Sequence, residues 1–186
     1  MPAYTNYGED FTVTYEDVAK RVSKLHILFE QCHIVPGDKI SLIGRNNANW
    51  AITYIATVTY GAIIVPILQD FNANDVHHIV NHSESKLLFV SDSNWENLEE
   101  DKLNEVRAVF SLTDFNCIAL TCKKKKIIFE LQEDAEEKTK EESKLCSELE
   151  MHQLQPDVIN TIFKSRYPHG FYRDHVRYID KPNTEL

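Results

Sequence analysis

The sequence is poor in glycine: five in 186 residues, at positions 8, 37, 44, 61 and 170, no two of them neighbours. Loops that cradle phosphate need clustered glycines so that backbone N–H groups can approach the ligand. No such loop and no GxGxxG fingerprint is present. Positive charge is in deficit as well. A formal net charge of −9 argues against a nucleic-acid partner. The opening MPAYTNYGEDF lacks a basic patch followed by an apolar run, so it does not read as a secretory signal. The four cysteines, at 32, 117, 122 and 146, form no CxxC pair. They read as reduced thiols of a cytoplasmic protein, with a Cys117–Cys122 disulfide as the open alternative.

What the chain does have is one long stretch without charge, from Asn46 to Gln69. A bilayer span needs about 20 apolar residues, so length alone would allow one. The stretch carries Thr53, Thr57, Thr59, Gly61 and Pro66, and Gly61 divides it into two patterns. It reads as a buried helix followed by a buried strand, with no transmembrane segment.

Strand and helix signals alternate through about residue 112. Phe11 to Thr14 reads as a short strand. Thr14 and Asp17 resemble a capping box, and Val18, Val22, Leu25 and Phe29 recur on one helical face. Pro36-Gly37-Asp38 is a turn, followed by a strand from Lys39 to Ile43. Asn46-Asn47 opens the next helix. That helix is apolar nearly all round, with Trp50, Tyr54 and Val58 in line, so it is expected to be deeply buried. Gly61 stops it, and Ile63-Ile64-Val65 is a continuous apolar strand. Asn74 is expected to cap a helix with Val76, Ile79 and Val80 inward. Leu87 to Val90 is another apolar strand. Ser93 to Glu96 reads as a second capping box opening a helix through Leu103, and Ala108 to Leu112 closes the pattern. Strands apolar on both faces, separated by helices, predict an α/β fold: a doubly wound, mostly parallel sheet covered by helices.

Beyond Leu120 the character changes. Four lysines, Lys123 to Lys126, precede a strongly charged, mostly acidic run from Glu130 to Glu150. That run reads as a solvated helix or a mobile insertion. A short helix is expected over Val158–Tyr167. The expected division is therefore 1–116 as an α/β unit, 117–155 as a charged helical insertion, and 156–186 as a connector.

Three segments together carry a resemblance: FTVTYEDVAKRVSKL, then PGDKISLIGRNNANWAITYIATVTYGAIIVPI, then HHIVNHSESKLLFV. In order and spacing they resemble the opening of adenylate-forming (AMP-binding) enzymes, and within that superfamily most of all the long-chain fatty-acid–CoA ligases. The resemblance covers residues 11 to 112. It returns at Tyr178–Asn183, which looks like the approach to the family's phosphate loop. It implies the N-terminal subdomain of an acyl-CoA synthetase-like fold. It implies a parent reaction in which ATP and a fatty acid give acyl-adenylate and coenzyme A then forms the thioester, with Mg2+ accompanying ATP. The family's Ser/Thr/Gly-rich loop, its nucleotide-binding motifs and its C-terminal lysine are missing, the loop being expected soon after Leu186. No catalytic, cofactor-binding or metal-binding residue of the family can be carried onto any position here. The chain is thus expected to be inactive alone, to need the remainder of the adenylation domain as partner, and to self-associate through apolar surface left uncovered. Fatty acid, ATP, Mg2+ and coenzyme A would serve only the full-length enzyme.

Four local features invite a functional reading. His78 and His82, beside His77, stand at the HxxxH spacing of a zinc helix, but two ligands without a third do not make a site. Gly44-Arg45 stands at a strand-to-helix turn where an anion can bind, although a packing turn explains a single glycine as well. Ser91-Asp92-Ser93 stands at the carboxyl end of a strand, where α/β ligands bind, and reads as a helix-opening turn. The lysine run is offset by the acids that follow it, and reads as a solvated loop. The rival function is a stand-alone, non-catalytic α/β binding module derived from the same family, which includes a frameshifted remnant. A response-regulator or dinucleotide-binding domain is the third and weakest reading.

Overall fold

The computed structural model describes residues 2–5, 12–121 and 148–168. Expectations placed on the lysine run, on Cys122 and Cys146, on residues 122–147 of the charged insertion and on Tyr178–Asn183 lie outside these residues.

The chain opens with an antiparallel pair, β1 (Pro2–Thr5) and β2 (Thr12–Thr14). Thr14 then caps α1 (Tyr15–Gln31). The Asp17 backbone N–H donates to Thr14 Oγ1 at 3.2 Å, and the Thr14 N–H donates to Asp17 Oδ2 at 3.0 Å. Two orphan donors of the first turn are thereby satisfied reciprocally. The Thr14 hydroxyl donates to Asp17 Oδ2 at 2.7 Å, and that bond first, with the backbone one second, holds the Asp17 carboxyl below its ordinary pKa. A second, five-stranded sheet follows in the order β4-β3-β5-β6-β7. Its members are β3 (Lys39–Ile43), β4 (Ile63–Ile67), β5 (Leu87–Val90), β6 (Ala108–Ser111) and β7 (Cys117–Ala119). The first four are parallel and β7 runs antiparallel to β6. Strand β7 has too few residues to show an alternating pattern in the sequence.

Alternation along the strands divides the core between the two faces. On one face Leu42, Phe89 and Phe110 lie in register under α1, α2 (Ala48–Tyr60) and α5 (Pro156–Arg166). The Phe89 and Phe110 rings stack at 5.1 Å, and Phe29 of α1 meets Phe89 edge-on at 6.1 Å. On the other face Ile43, Leu88, Val90 and Val109 pack against Val76 and Val80 of α3 (Ala73–His82). The buried Arg107, at the start of β6, donates to the Cys32 and His33 carbonyls at 3.2 and 2.8 Å. That fixes the C-terminal end of α1 to the sheet and places a cation where the helix dipole is negative.

Four expectations need correction. The helix at 73 is capped by Asn72, whose Oδ1 accepts from the Asp75 N–H at 3.1 Å, and not by Asn74. No helix runs from Ser93 to Leu103. A short α4 (Asp92–Trp95) follows Ser91, and a 3-10 turn covers Glu100–Lys102. Past α4 the Asn97 and Leu98 N–H groups reach back only three residues, to the Asn94 and Trp95 carbonyls, and the Glu99 N–H donates to His77 Nε2 at 3.1 Å, so no four-residue ladder continues. Helix α2 is not buried all round. Its inward line is Ile52, Thr53, Ala56 and Thr57, and Thr53 and Thr57 turn their hydroxyls back onto the Asn49 and Thr53 carbonyls at 2.8 and 2.9 Å. Those hydroxyls are satisfied within the helix, so the threonines can face the core while Tyr54 and Val58 face outward. Strand β4 likewise is an edge strand, with Ile63 and Pro66 exposed. The uncharged stretch 46–69 thus resolves into α2 and β4. Among the described residues no helix is long and apolar enough to cross a membrane.

Candidate functional site

The sheet order places β3 at the centre of a reversal: the chain moves from β3 outward to β4, then back across to β5. Doubly wound sheets bind ligands beyond the carboxyl ends of their strands at such a reversal. Here the loops after β3, β4, β5 and β6 are laced together at that end. Asn49 Nδ2 donates to the Leu112 and Thr113 carbonyls at 2.8 and 3.0 Å and ties the start of α2 to the loop after β6. Asn94 Nδ2 donates to the Gln69 carbonyl at 2.8 Å and joins the loops after β5 and β4. Asp92 accepts from Ser111 Oγ at 2.7 Å and from Thr113 Oγ1 at 2.9 Å.

Above β3 and β4 this lacing leaves a cleft of about 370 Å³. Trp50, Pro66, Ile67 and Leu68 supply apolar walls, and Arg45, Asn46, Gln69 and Asp70 supply polar groups. Its volume falls within the range of small-ligand sites. Gly44 also borders it, but a Cβ there would lie 2.8 Å from Leu112 Cδ1 and 3.3 Å from Ser91 Cβ. The glycine lets the β3–α2 turn pass under Leu112, so the packing explanation holds and the cleft has no glycine free to admit a phosphate. Arg45 is exposed at its mouth. The side chains of Ser91 and Asp92 are engaged in the lacing, and Ser91 Oγ donates to Asn94 Oδ1 at 2.6 Å. The triplet 91–93 therefore opens a helix and closes a seam.

The histidines separate. His77 is buried, contrary to a wholly surface helix, and its Nε2 accepts from Glu99, so the proton sits on Nδ1. Burial and, secondarily, Lys102 push its pKa down. His78 and His82 are exposed and their rings stack at 5.7 Å. Among the described residues no group of three His, Cys, Asp or Glu side chains could hold a metal ion. Burial pushes the Cys117 thiol up to about 11 and that of Cys32 higher still, so neither is a thiolate nucleophile at neutral pH. The cleft residues do not fit Mg-ATP: they offer one arginine, no glycine cradle and no carboxylate pair. The sequence reading missed this cleft because Leu68 to Asp70 carry no motif. Only the strand order shows that they stand beside Arg45.

The AMP-binding enzyme family model matches residues 1–163. The chain belongs to the AMP-binding enzyme family. Among the relatives of this family member, long chain acyl-CoA synthetase 5 of Arabidopsis thaliana is 28% identical over 102 residues, covering 55% of this chain and 15% of the relative. The fatty acid–[acyl-carrier-protein] ligase ScoC of Streptomyces coeruleorubidus is 25% identical over 84 residues, covering 45% and 16%. The matches thus span about one-sixth of those relatives' length. Among solved structures, coronafacic acid ligase from Pectobacterium brasiliense aligns with a TM-score of 0.53 at 17% identity, over 55% of this chain and 21% of that one. Acetoacetyl-CoA synthetase from Streptomyces lividans aligns with a TM-score of 0.51 at 23% identity, over 55% and 18%. At these identities the structures speak for the fold: the AMP-binding family member has the α/β architecture of the N-terminal part of adenylate-forming ligases.

Proposed function

We propose that this chain supplies the N-terminal α/β portion of an ATP-dependent long-chain fatty-acid–CoA ligase and is inactive without the rest of the adenylation domain. The observation that carries the reading is the family match over residues 1–163, joined to curated relatives that are long-chain acyl-CoA synthetases. In the parent, ATP with Mg2+ and a fatty acid form acyl-adenylate, and coenzyme A takes the acyl group. This chain's part is the sheet that carries the cleft. Residence in the cytoplasm belongs to the same proposal, and free buried thiols at Cys32 and Cys117 support it.

The rival is a stand-alone binding module. Tyr54, Val58, Ile63, Leu68 and Phe71 are 38 to 66% exposed along α2, β4 and the loop after it. Large apolar side chains left exposed on these elements support the rest of the adenylation domain as partner, and self-association in its absence. The test is fatty-acid-dependent exchange of pyrophosphate into ATP, with Mg2+ and palmitate. The 186-residue chain is expected to give none, and a longer chain carrying a phosphate loop is expected to restore it. Exchange by the 186-residue chain would refute inactivity. No exchange by the longer chain would refute the ligase reading.

A further inference from the structure

One buried titratable group has no part in the cleft. His77 of α3 is 5% exposed, and its two ring nitrogens are in unequal positions. Nε2 accepts the Glu99 N–H at 3.1 Å. Nδ1 is buried and has no hydrogen-bond partner among the described residues. A ring that accepts at Nε2 is neutral and carries its proton on Nδ1, which leaves one buried donor unsatisfied. A second proton would leave two. It would set Nε2–H against the Glu99 N–H, donor to donor, and would place a positive charge where no acceptor faces it.

The Glu99 bond joins distant parts of the chain. Among the described residues it is the one hydrogen bond from segment 96–99 to α3. The other backbone N–H groups of the segment bond locally: Glu96, Asn97 and Leu98 donate to the Asp92, Asn94 and Trp95 carbonyls. A second tie to α3 lies just beyond. Asn81 donates to the Lys102 carbonyl at 2.8 Å and accepts from the Asn104 N–H at 2.7 Å. No proton is gained or lost in that clamp near neutral pH. The segment therefore has one end held independently of pH and one end held by the protonation state of a single ring. Its Leu98 packs against the α3-side core. Helix α4, which it follows, carries Asn94, whose amide holds the Gln69 carbonyl in the wall of the cleft.

The charges that bear on His77 lie in the same loop: Lys102, Glu99 and Asp101. Glu99 is paired with Lys102. The sheet beneath α3 presents apolar side chains, Ile43, Leu88, Val90 and Val109. On α3 itself Asp75, His78 and His82 are exposed. Burial first, and Lys102 next, push the His77 pKa down, in keeping with a position built for the neutral ring. We propose that His77 is a protonation latch: neutral, it holds segment 96–99 against α3, and on taking a second proton it releases that segment while the Asn81 clamp stays closed. The opening is local and lets the ring reach water. It asks nothing of the ligase reading, and its test involves no substrate.

The test is amide hydrogen exchange, followed by NMR on the isotope-labelled 186-residue chain from about pH 7.5 down to about pH 4.5, a range that spans the ordinary imidazole pKa of about 6.5. Rates are corrected for the intrinsic pH dependence of exchange. The Glu99 amide is expected to lose protection by about tenfold or more over that range, and the Asn104 amide, held by Asn81, to keep its own. The ring-nitrogen shifts of His77 are expected to show the Nδ1–H tautomer at the upper end and the doubly protonated ring at the lower, with the same midpoint as the loss at Glu99. His77→Gln, whose amide oxygen accepts at every pH, is expected to keep Glu99 protected throughout. His77→Leu, with no acceptor, is expected to leave it unprotected throughout. Glu99 protection that is constant in the parent chain, or that falls equally in His77→Gln, would overturn the latch. So would a fall shared by Asn104, which would mean global opening. Ring shifts that place the neutral proton on Nε2 would overturn it without any variant.

Discussion

Strands β5 and β4 are both short apolar runs, Leu87-Leu88-Phe89-Val90 and Ile63-Ile64-Val65-Pro66-Ile67, and the fold treats them oppositely. Every residue of β5 is buried, because strands flank it on both edges and helices cover both faces. Among the described residues strand β4 has β3 on one edge alone, and Ile63 is 50% exposed. Apolar sequence fixes that a strand seeks cover. The strand order decides whether this chain provides it. Proline at position 66 agrees with the edge position, since it cannot donate to a ladder.

The sharpest way to test that contrast is to empty the interior. Phe89 is fully buried and touches the rings of Phe29, Phe110 and Phe115. Phe89→Ala is expected to cost about 3–5 kcal/mol, read as a loss of urea midpoint at constant slope. Next comes Gly44, where the β3–α2 turn passes under Leu112. Gly44→Ala puts a methyl 2.8 Å from Leu112 Cδ1 and is expected to cost about 1–3 kcal/mol by overpacking. A cost below about 0.5 kcal/mol would mean that the seam at the carboxyl end yields easily.

The parts of the fold that rest on local chemistry were legible before the structure. The Thr14–Asp17 box, the Asn47 cap, the αL turn at Gly61 and the continuous strands at 39–43 and 87–90 each depend on residues within a few positions of one another. What failed depends on distant residues. The helix that Ser93 and Glu96 promised ends at Trp95, and the Glu99 N–H goes to His77 of α3. Inward threonines reverse the exposure of α2, although Trp50, Tyr54 and Val58 form its more apolar line. The candidate cleft joins Arg45 to Leu68–Asp70, and that pairing has no spacing that a linear pattern could show.

Smaller effects separate the two flanks of the sheet. Thr14→Ala removes the cap of α1 and is expected to cost about 1 kcal/mol, measured by thermal unfolding. Acid titration reads both flanks together. His26, between α1 and α2, donates from Nε2 to the Ala56 carbonyl at 3.0 Å, and burial lowers its pKa. His77, on α3, is lowered by burial too. The folded chain therefore resists protons that the unfolded chain binds below about pH 6.5. Stability is expected to be full above that pH and to fall as pH drops from there through the depressed folded values. His77→Gln should flatten only the α3 contribution to that slope. A stability that rises on acidification over this window would contradict the sign.

The smallest effect on folding is expected where the contrast between β5 and β4 is greatest. Ile63 is half exposed on the edge strand, and Val58 is 45% exposed on α2 beside it. Ile63→Lys and Val58→Lys remove little buried area, so each should change stability by no more than about 0.5 kcal/mol. Lysine on an edge strand opposes pairing with a second chain, so the double variant should sediment as a monomer at concentrations where the parent chain self-associates. If it remains associated, the contact lies elsewhere. If it loses stability comparable to Phe89→Ala, then β4 is not an edge within this chain, and the distinction between a covered interior and a surface awaiting cover fails.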